Sequence, residues 1–231
     1  MGKMVKQLLL ASALGTLGLA SAANAAIVVT QIDPENTLTF DNNPVGATSG
    51  SSVVCDWAYC GGIKFSTDGK VANGTTPLVS ATPAGDTSNY LYGVSTTGAT
   101  IAFAHPTQSF NIFWGSIDGN PPRYDNIMTL VLSDSSTVKL FGHDLETGGA
   151  HDVGADGSGD QFSASENQWL NIAVTGDAKI VGFNAYSGQP AFEFDMAAPE
   201  PATWAMMGLG FAALGYAAFR RKAKSARTVA A

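Results

Sequence analysis

The sequence predicts an all-β fold, an antiparallel β-sandwich of jelly-roll type, on three observations. Short runs rich in Val, Ile, Thr and aromatic residues recur between clusters of Gly, Asn, Asp, Ser and Pro. Several of them alternate apolar and polar side chains, the period of a strand with one buried face. No stretch of helical period and useful length interrupts them.

In chain order the expected strands are Ile27–Ile32, Thr37–Phe40, Gly62–Ser66, Tyr90–Ser95, Thr100–Ala104, Ser109–Trp114, Ile127–Ser133, Thr137–Phe141, Trp169–Val174, Lys179–Tyr186 and Ala191–Phe194. Alternation marks their inner faces. Phe110, Ile112 and Trp114 point one way, as do Met128, Leu130 and Leu132, and then Leu170, Ile172 and Val174. Such a stripe fits core better than a ligand platform. Phe192 and Phe194 alternate with Glu193 and Asp195, so the last strand is expected to turn its two carboxylates away from the core.

Two terminal segments stand apart from this pattern. Lys3 and Lys6 precede an apolar run from Leu8 to Ala20 and an Ala23-Asn24-Ala25 cleavage site, so residues 1–25 read as a signal peptide cut by signal peptidase. At the other end, Pro199-Glu200-Pro201 precedes an uncharged run from Ala202 to Phe219, then Arg220, Arg221, Lys222 and Lys224. Eighteen helical residues at about 1.5 Å each reach about 27 Å, enough to cross a bilayer's hydrocarbon core. The basic cluster acts as a stop on the cytoplasmic side, with residues 225–231 as a short cytoplasmic tail and the preceding chain outside.

Residues 26–198 are left as a single exported domain. Its charge is strongly one-sided: 18 of the 19 acidic residues lie in it, from Asp33 to Asp195, against only Lys64, Lys70, Arg123, Lys139 and Lys179, a balance of 5 − 18 = −13, with Glu200 in the tail bringing the stretch to −14. Such a surface repels nucleic acid and attracts cations. Cys55 and Cys60 are the only cysteines, and in an exported chain this close pair is expected to form a local disulfide worth about 2 kcal/mol.

The triplet, apolar run and basic stop together resemble the PEP-CTERM sorting signal, a tail also known as the ice-binding protein C-terminal domain. The resemblance covers residues 199–224 and implies processing by an exosortase at Pro199, Glu200 and Pro201, with transient residence in the inner membrane. A second resemblance rests on Trp114-Gly115-Ser116-Ile117-Asp118, Tyr124-Asp125-Asn126, Asn167-Gln168-Trp169 and Ala191-Phe192-Glu193-Phe194-Asp195. These are similar to the WGSxD and AFEFD motifs of exosortase-dependent surface proteins, with Asp125 inserted between Tyr124 and Asn126 and Met196 in place of an asparagine. That family implies a location and no catalytic residues.

Candidate chemistry is sparse. The Gly-rich stretch from His143 to Asp160 offers Asp144, Asp152, Asp156 and Asp160 as oxygen ligands for calcium, although it lacks EF-hand spacing. A mobile surface loop explains the same composition. An alternative calcium group is Asp118, Asp125, Glu193 and Asp195. No G-x-S-x-G or H-E-x-x-H signature occurs, and no catalytic residue is assigned. Trp57 and Tyr59 lie between the cysteines, where they suit either sugar stacking or, as the favoured reading, a Trp57 plug in the end of the sandwich. The sequence therefore points to a non-enzymatic envelope or extracellular-matrix protein associated with exopolysaccharide. The competing expectation is a secreted carbohydrate-active hydrolase with a concealed carboxylate pair.

Overall fold

The structure, a computed structural model, describes residues 25–33, 39–95, 97–119, 125–188 and 191–196. Among these residues twelve strands form two six-stranded sheets, and every strand pairing is antiparallel. The first sheet runs in the order β1 (Ile27–Gln31), β10 (Gln168–Val174), β7 (Ser109–Gly115), β12 (Phe192–Met196), β5 (Tyr90–Gly93) and β4 (Val71–Ala72). The second runs β2 (Ser49–Cys55), β3 (Cys60–Thr67), β6 (Ala99–Thr107), β11 (Ile180–Ser187), β8 (Asn126–Leu132) and β9 (Thr137–Phe141).

The expected inner faces meet in one core. Phe110, Ile112 and Trp114, Leu170, Ile172 and Val174, and Phe192 and Phe194 come from the first sheet. Ile101, Phe103, Met128, Leu130, Leu132 and Phe183 come from the second. Phe110 stacks on Phe183 between the sheets, ring centres 5.0 Å apart. Burying each such side chain contributes about 1.5–3 kcal/mol, so this shared core is the main source of stability.

Two strands were not foreseen. β2 begins Ser-Gly-Ser-Ser, a composition that reads as loop, and is held by full register with β3 from Ser49↔Ser66 to Cys55↔Cys60. β4 has only two residues, too few for any period. Conversely, the strand expected at Thr37–Phe40 is a turn at Thr39 and Phe40, while Thr37 and Leu38 lie outside the described residues. Phe40 is apolar because it is buried edge-on against Phe65 and Phe194, with centroids at 5.5 and 6.1 Å. A one-turn helix, α1 (Gly142–Leu145), opens the Gly-rich stretch, too short to leave a helical period.

The larger correction concerns the outer side of the first sheet. Glu193 and Asp195 do face away from Phe192 and Phe194, yet they are 2% and 0% exposed. A strap of residues 73–89 lies over them: the Ala81 amide donates to Glu193 Oε1 at 2.9 Å, and Ser88 Oγ lies 3.0 Å from Asp195 Oδ2. Pro83 packs directly on Gly115, where a Cβ would collide with its ring.

Cys55 and Cys60 form the expected disulfide, across the last register pair of the β2–β3 hairpin. The signal segment up to Asn24, the apolar run Ala202–Phe219 and residues 225–231 lie outside the described residues. Among the described residues no helix is long and apolar enough to cross a membrane.

Candidate functional site

At the far end of β7 the chain leaves the sheet through Ser116, which adopts a left-handed φ of 51°. This turn brings Asp118 beside the start of β8. Asn126 joins the two: its Oδ1 accepts from Trp114 Nε1 at 3.2 Å and from the Asp118 amide at 2.9 Å, while its Nδ2 lies 3.5 Å from Asp118 Oδ2. One buried asparagine thus links residues from the first two motif segments. Asn167 supplies the third. Its Oδ1 accepts from the Ser116 and Ala84 amides at 3.3 and 2.9 Å, and its Nδ2 donates to the carbonyls of Asp160 and Ser163.

The corner is electrostatically tense. Burial pushes the Asp118 carboxyl up to about 7, with the charges of Glu166 and Asp125 adding to the effect against the Asn126 bond. Burial also raises Glu166, which is wholly enclosed and accepts from the Asp156 amide at 2.7 Å. Under the strap, burial pushes Glu193 up to about 8 despite its bond from Ala81, and the Asp118 charge adds to that. Asp195 is raised well above its ordinary value by complete burial and then by Asp86. At all four carboxyls burial thus favours the protonated form.

Asp125 has a different partner. Its Oδ2 lies 2.6 Å from His143 Nδ1, and its Oδ1 accepts from the His143 amide at 3.2 Å. Gly142 permits this approach, because a Cβ there would collide with the Asp118 carbonyl. His143 also stacks on Phe141.

The four aspartates of the Gly-rich stretch serve their own backbone. Asp144 accepts from Phe141 N, Asp152 from Gly148 and Gly154 N, Asp156 from Ser158 N, and Asp160 from Phe162 N. Such local turns fix a loop that composition alone suggests is mobile. Among the described residues no group of three or more His, Cys, Asp or Glu is arranged to hold a metal ion. Of the alternative set, Asp118 and Asp125 share the acidic corner, whereas Glu193 and Asp195 lie beneath the strap. Glu166 was not singled out in the sequence, since a lone Glu in a Ser-rich loop carries no signal.

A cleft of about 640 Å³ opens on the outer side of the first sheet. Phe113 and Trp169, stacked at 5.3 Å and 16°, form its floor with Ile32 against them. One wall is Ala84–Asp86 of the strap, and the other is formed by Phe162, Ala164 and Asn167. Asn167 bonds both walls, as its contacts above show. Phe162 stands 87% exposed at the rim. The strand alternation places Phe113 and Trp169 opposite the core, but only tertiary packing makes a cleft over them.

The hairpin of the two cysteines corrects the favoured reading of Trp57 as a plug. Tyr59 is 3% exposed and packs on Phe103 and His105, donating its hydroxyl to the Gly62 carbonyl at 2.9 Å. Trp57 is 69% exposed, so it does not plug the end of the fold. Tyr59 fills that place because Asp56 Oδ1 accepts from the Ala58 and Tyr59 amides and curls the turn inward after Trp57.

A family model of the PEP-CTERM protein-sorting motif matches residues 197–222. The motif read from Pro199-Glu200-Pro201 is therefore present. No curated protein and no solved structure matches the chain.

Proposed function

We propose that this is an exported envelope protein, held at the inner membrane by Ala202–Phe219, cut by an exosortase at Pro199-Glu200-Pro201, and associated afterwards with extracellular polysaccharide without catalysing a reaction. The sorting motif at residues 197–222 carries this reading. The two facing sheets fit a β-sandwich, a rigid body well suited to binding on its faces and loops. The mixed aromatic and amide lining of the 640 Å³ cleft suits a neutral glycan, whose ring face packs on aromatic carbon while its hydroxyls bond to side-chain amides. No Lys or Arg is among the described residues that line the cleft, and Asp86 is, so an acidic polymer is a poorer occupant.

Intact mass of the chain, from cells with and without the exosortase, tests the sorting step. The expected result is a chain ending near the PEP triplet only when the enzyme is present. An uncut tail in both strains overturns it. Pull-down on neutral polysaccharide tests the second half, with Phe162→Ala expected to weaken retention.

One observation favours the hydrolase reading: burial raises both Asp118 and Glu193, and the Asp118 charge adds to the rise at Glu193. Against it, both are nearly enclosed, and Glu193 already binds the strap. Release of reducing sugar that disappears in Glu193→Gln would support the hydrolase and sink the non-catalytic reading.

A further inference from the structure

The register of the two sheets puts several features at one end of the molecule. Ile27 pairs with Val174, Ala173 with Ser109, and Ile180 with both Thr107 and Leu132. Cys55 pairs with Cys60, two residues beyond Gly62 in the direction of Thr107 along the neighbouring β6. The first described strand therefore begins at the same end as the Trp57 hairpin and the Ser133–Ser136 turn. β12 runs antiparallel to β7 from Glu193↔Gly115 to Met196↔Ile112, so the chain leaves it heading toward that end too.

The distances leave little slack. Met196 is level with Ile112, three residues short of the start of β7, or about 10 Å. Only residues 197–201 separate Met196 from the apolar run at Ala202, and five residues span at most about 18 Å. On the reading proposed above, the end bearing Trp57 lies within about one further turn of chain from the bilayer. The signal segment joins the domain at this end as well.

Charge agrees with the placement. The opposite end carries Asp125, Asp144, Glu146, Asp152, Asp156 and Asp160, with no Lys or Arg in residues 142–167. An anionic membrane surface repels that end. The end with the Trp57 hairpin holds Asp56, Asp134 and Asp177 beside Lys179, a smaller negative balance. Trp57 is the one exposed indole among the described residues, on a hairpin closed by a disulfide and an Asp56-bonded turn. A rigid, exposed indole suits the headgroup interface, where its apolar body and N–H are both accommodated.

We infer that, while the precursor is membrane-held, Trp57 and its disulfide-closed hairpin rest in the lipid headgroup layer and the acidic corner points away from the bilayer. The inference rests on the membrane-held reading above. The hairpin thereby sets the height and tilt at which the sorting motif is presented.

The test uses the full chain reconstituted into phosphatidylethanolamine–phosphatidylglycerol vesicles. Emission of the native chain minus that of Trp57→Phe isolates this indole, and the variant leaves an exposed site that folding does not depend on. The expected result is a blue-shifted Trp57 signal, quenched by lipids brominated near the headgroup and shielded from aqueous iodide. A dye on Ser158→Cys at the acidic end is expected to stay accessible to iodide. A chain that floats with vesicles while Trp57 remains quenched only by iodide overturns the orientation and leaves the membrane-held reading standing. Failure to float at all overturns both.

Discussion

The two sheets have equal numbers of strands and opposite relations to water. In the second sheet β6 buries Ala99, Ile101 and Phe103 and exposes Thr100, Ala102 and Ala104, a one-sided strand in contact with solvent. In the first sheet every residue of β5 and β12 is buried, including Glu193 and Asp195. The second sheet's outer face is ordinary protein surface. Over β12 and β5 the first sheet's outer face lies under the strap, and beside the 160–167 loop it floors the cleft, so there it acts as a second interior, while β1 at the edge leaves Val28 exposed. Alternation along a strand reports which side chains face the other sheet, and it is silent on whether the remaining face is covered.

The sharpest way to test this difference is to cut a side chain from the first sheet's centre. Phe194→Ala removes a fully buried ring between Phe40, Phe183 and Phe192, and is expected to cost about 3–5 kcal/mol in denaturant unfolding. A loss below 1 kcal/mol, by the order of magnitude typical of surface sites, would show that β12 is not an integral centre of the sheet.

Next in size is the pH response of the covered face. Glu193 has its carboxyl raised from 4.5 to about 8, so the folded state keeps a proton that the unfolded state has released. Its contribution is complete below the unfolded value and is lost as pH rises through the folded one, and Asp195 acts in the same direction. Unfolding free energy is expected to fall between about pH 5 and pH 8, by up to about 1.4 kcal/mol per unit for one proton. Glu193→Gln should flatten that decline. An unchanged slope would show that the strap does not exclude water from the carboxyl.

The disulfide comes third. Replacing Cys55 and Cys60 together by Ser is expected to lower stability by about 2 kcal/mol, because it closes only a small loop at an edge hairpin of the open-faced sheet. Calorimetry on both forms would decide it, and an effect as large as that of Phe194→Ala would contradict the edge assignment. Smallest is Val131→Thr on the outer face of β8, where Val131 is 36% exposed. A change within about 0.5 kcal/mol is expected, and a larger one would mean that this face too is covered.

Much of this architecture was legible residue by residue. β7, β8 and β10 announced themselves because β-branched and aromatic side chains alternate there, and the inner faces follow from that period. β2 was missed because its Ser and Gly residues have no strand preference and are held in place by the ladder to β3. The site was less legible. Asp118, Asp125 and Asn126 stood out as a motif, yet their convergence depends on Asn126 bonding Trp114 and the Asp118 amide. Glu166 and Asn167 reach the same corner from a loop whose composition says only that it turns. Tyr59, not Trp57, fills the end of the fold because the Asp56 turn, which sequence spacing does not reveal, decides which ring is drawn inward.

The sequence by itself determined the all-β class, the strand faces that form the core, the Cys55–Cys60 pairing and the sorting motif at residues 197–222, since each depends on period, composition or local order. Only the tertiary structure decided that β12, last of the described strands, is central in its sheet, and that Glu193 and Asp195 are roofed by the strap. It alone decided that Phe113 and Trp169 floor a cleft. These features arise from residues far apart in sequence meeting in space, and burial, unlike polarity, belongs to the neighbours a side chain acquires.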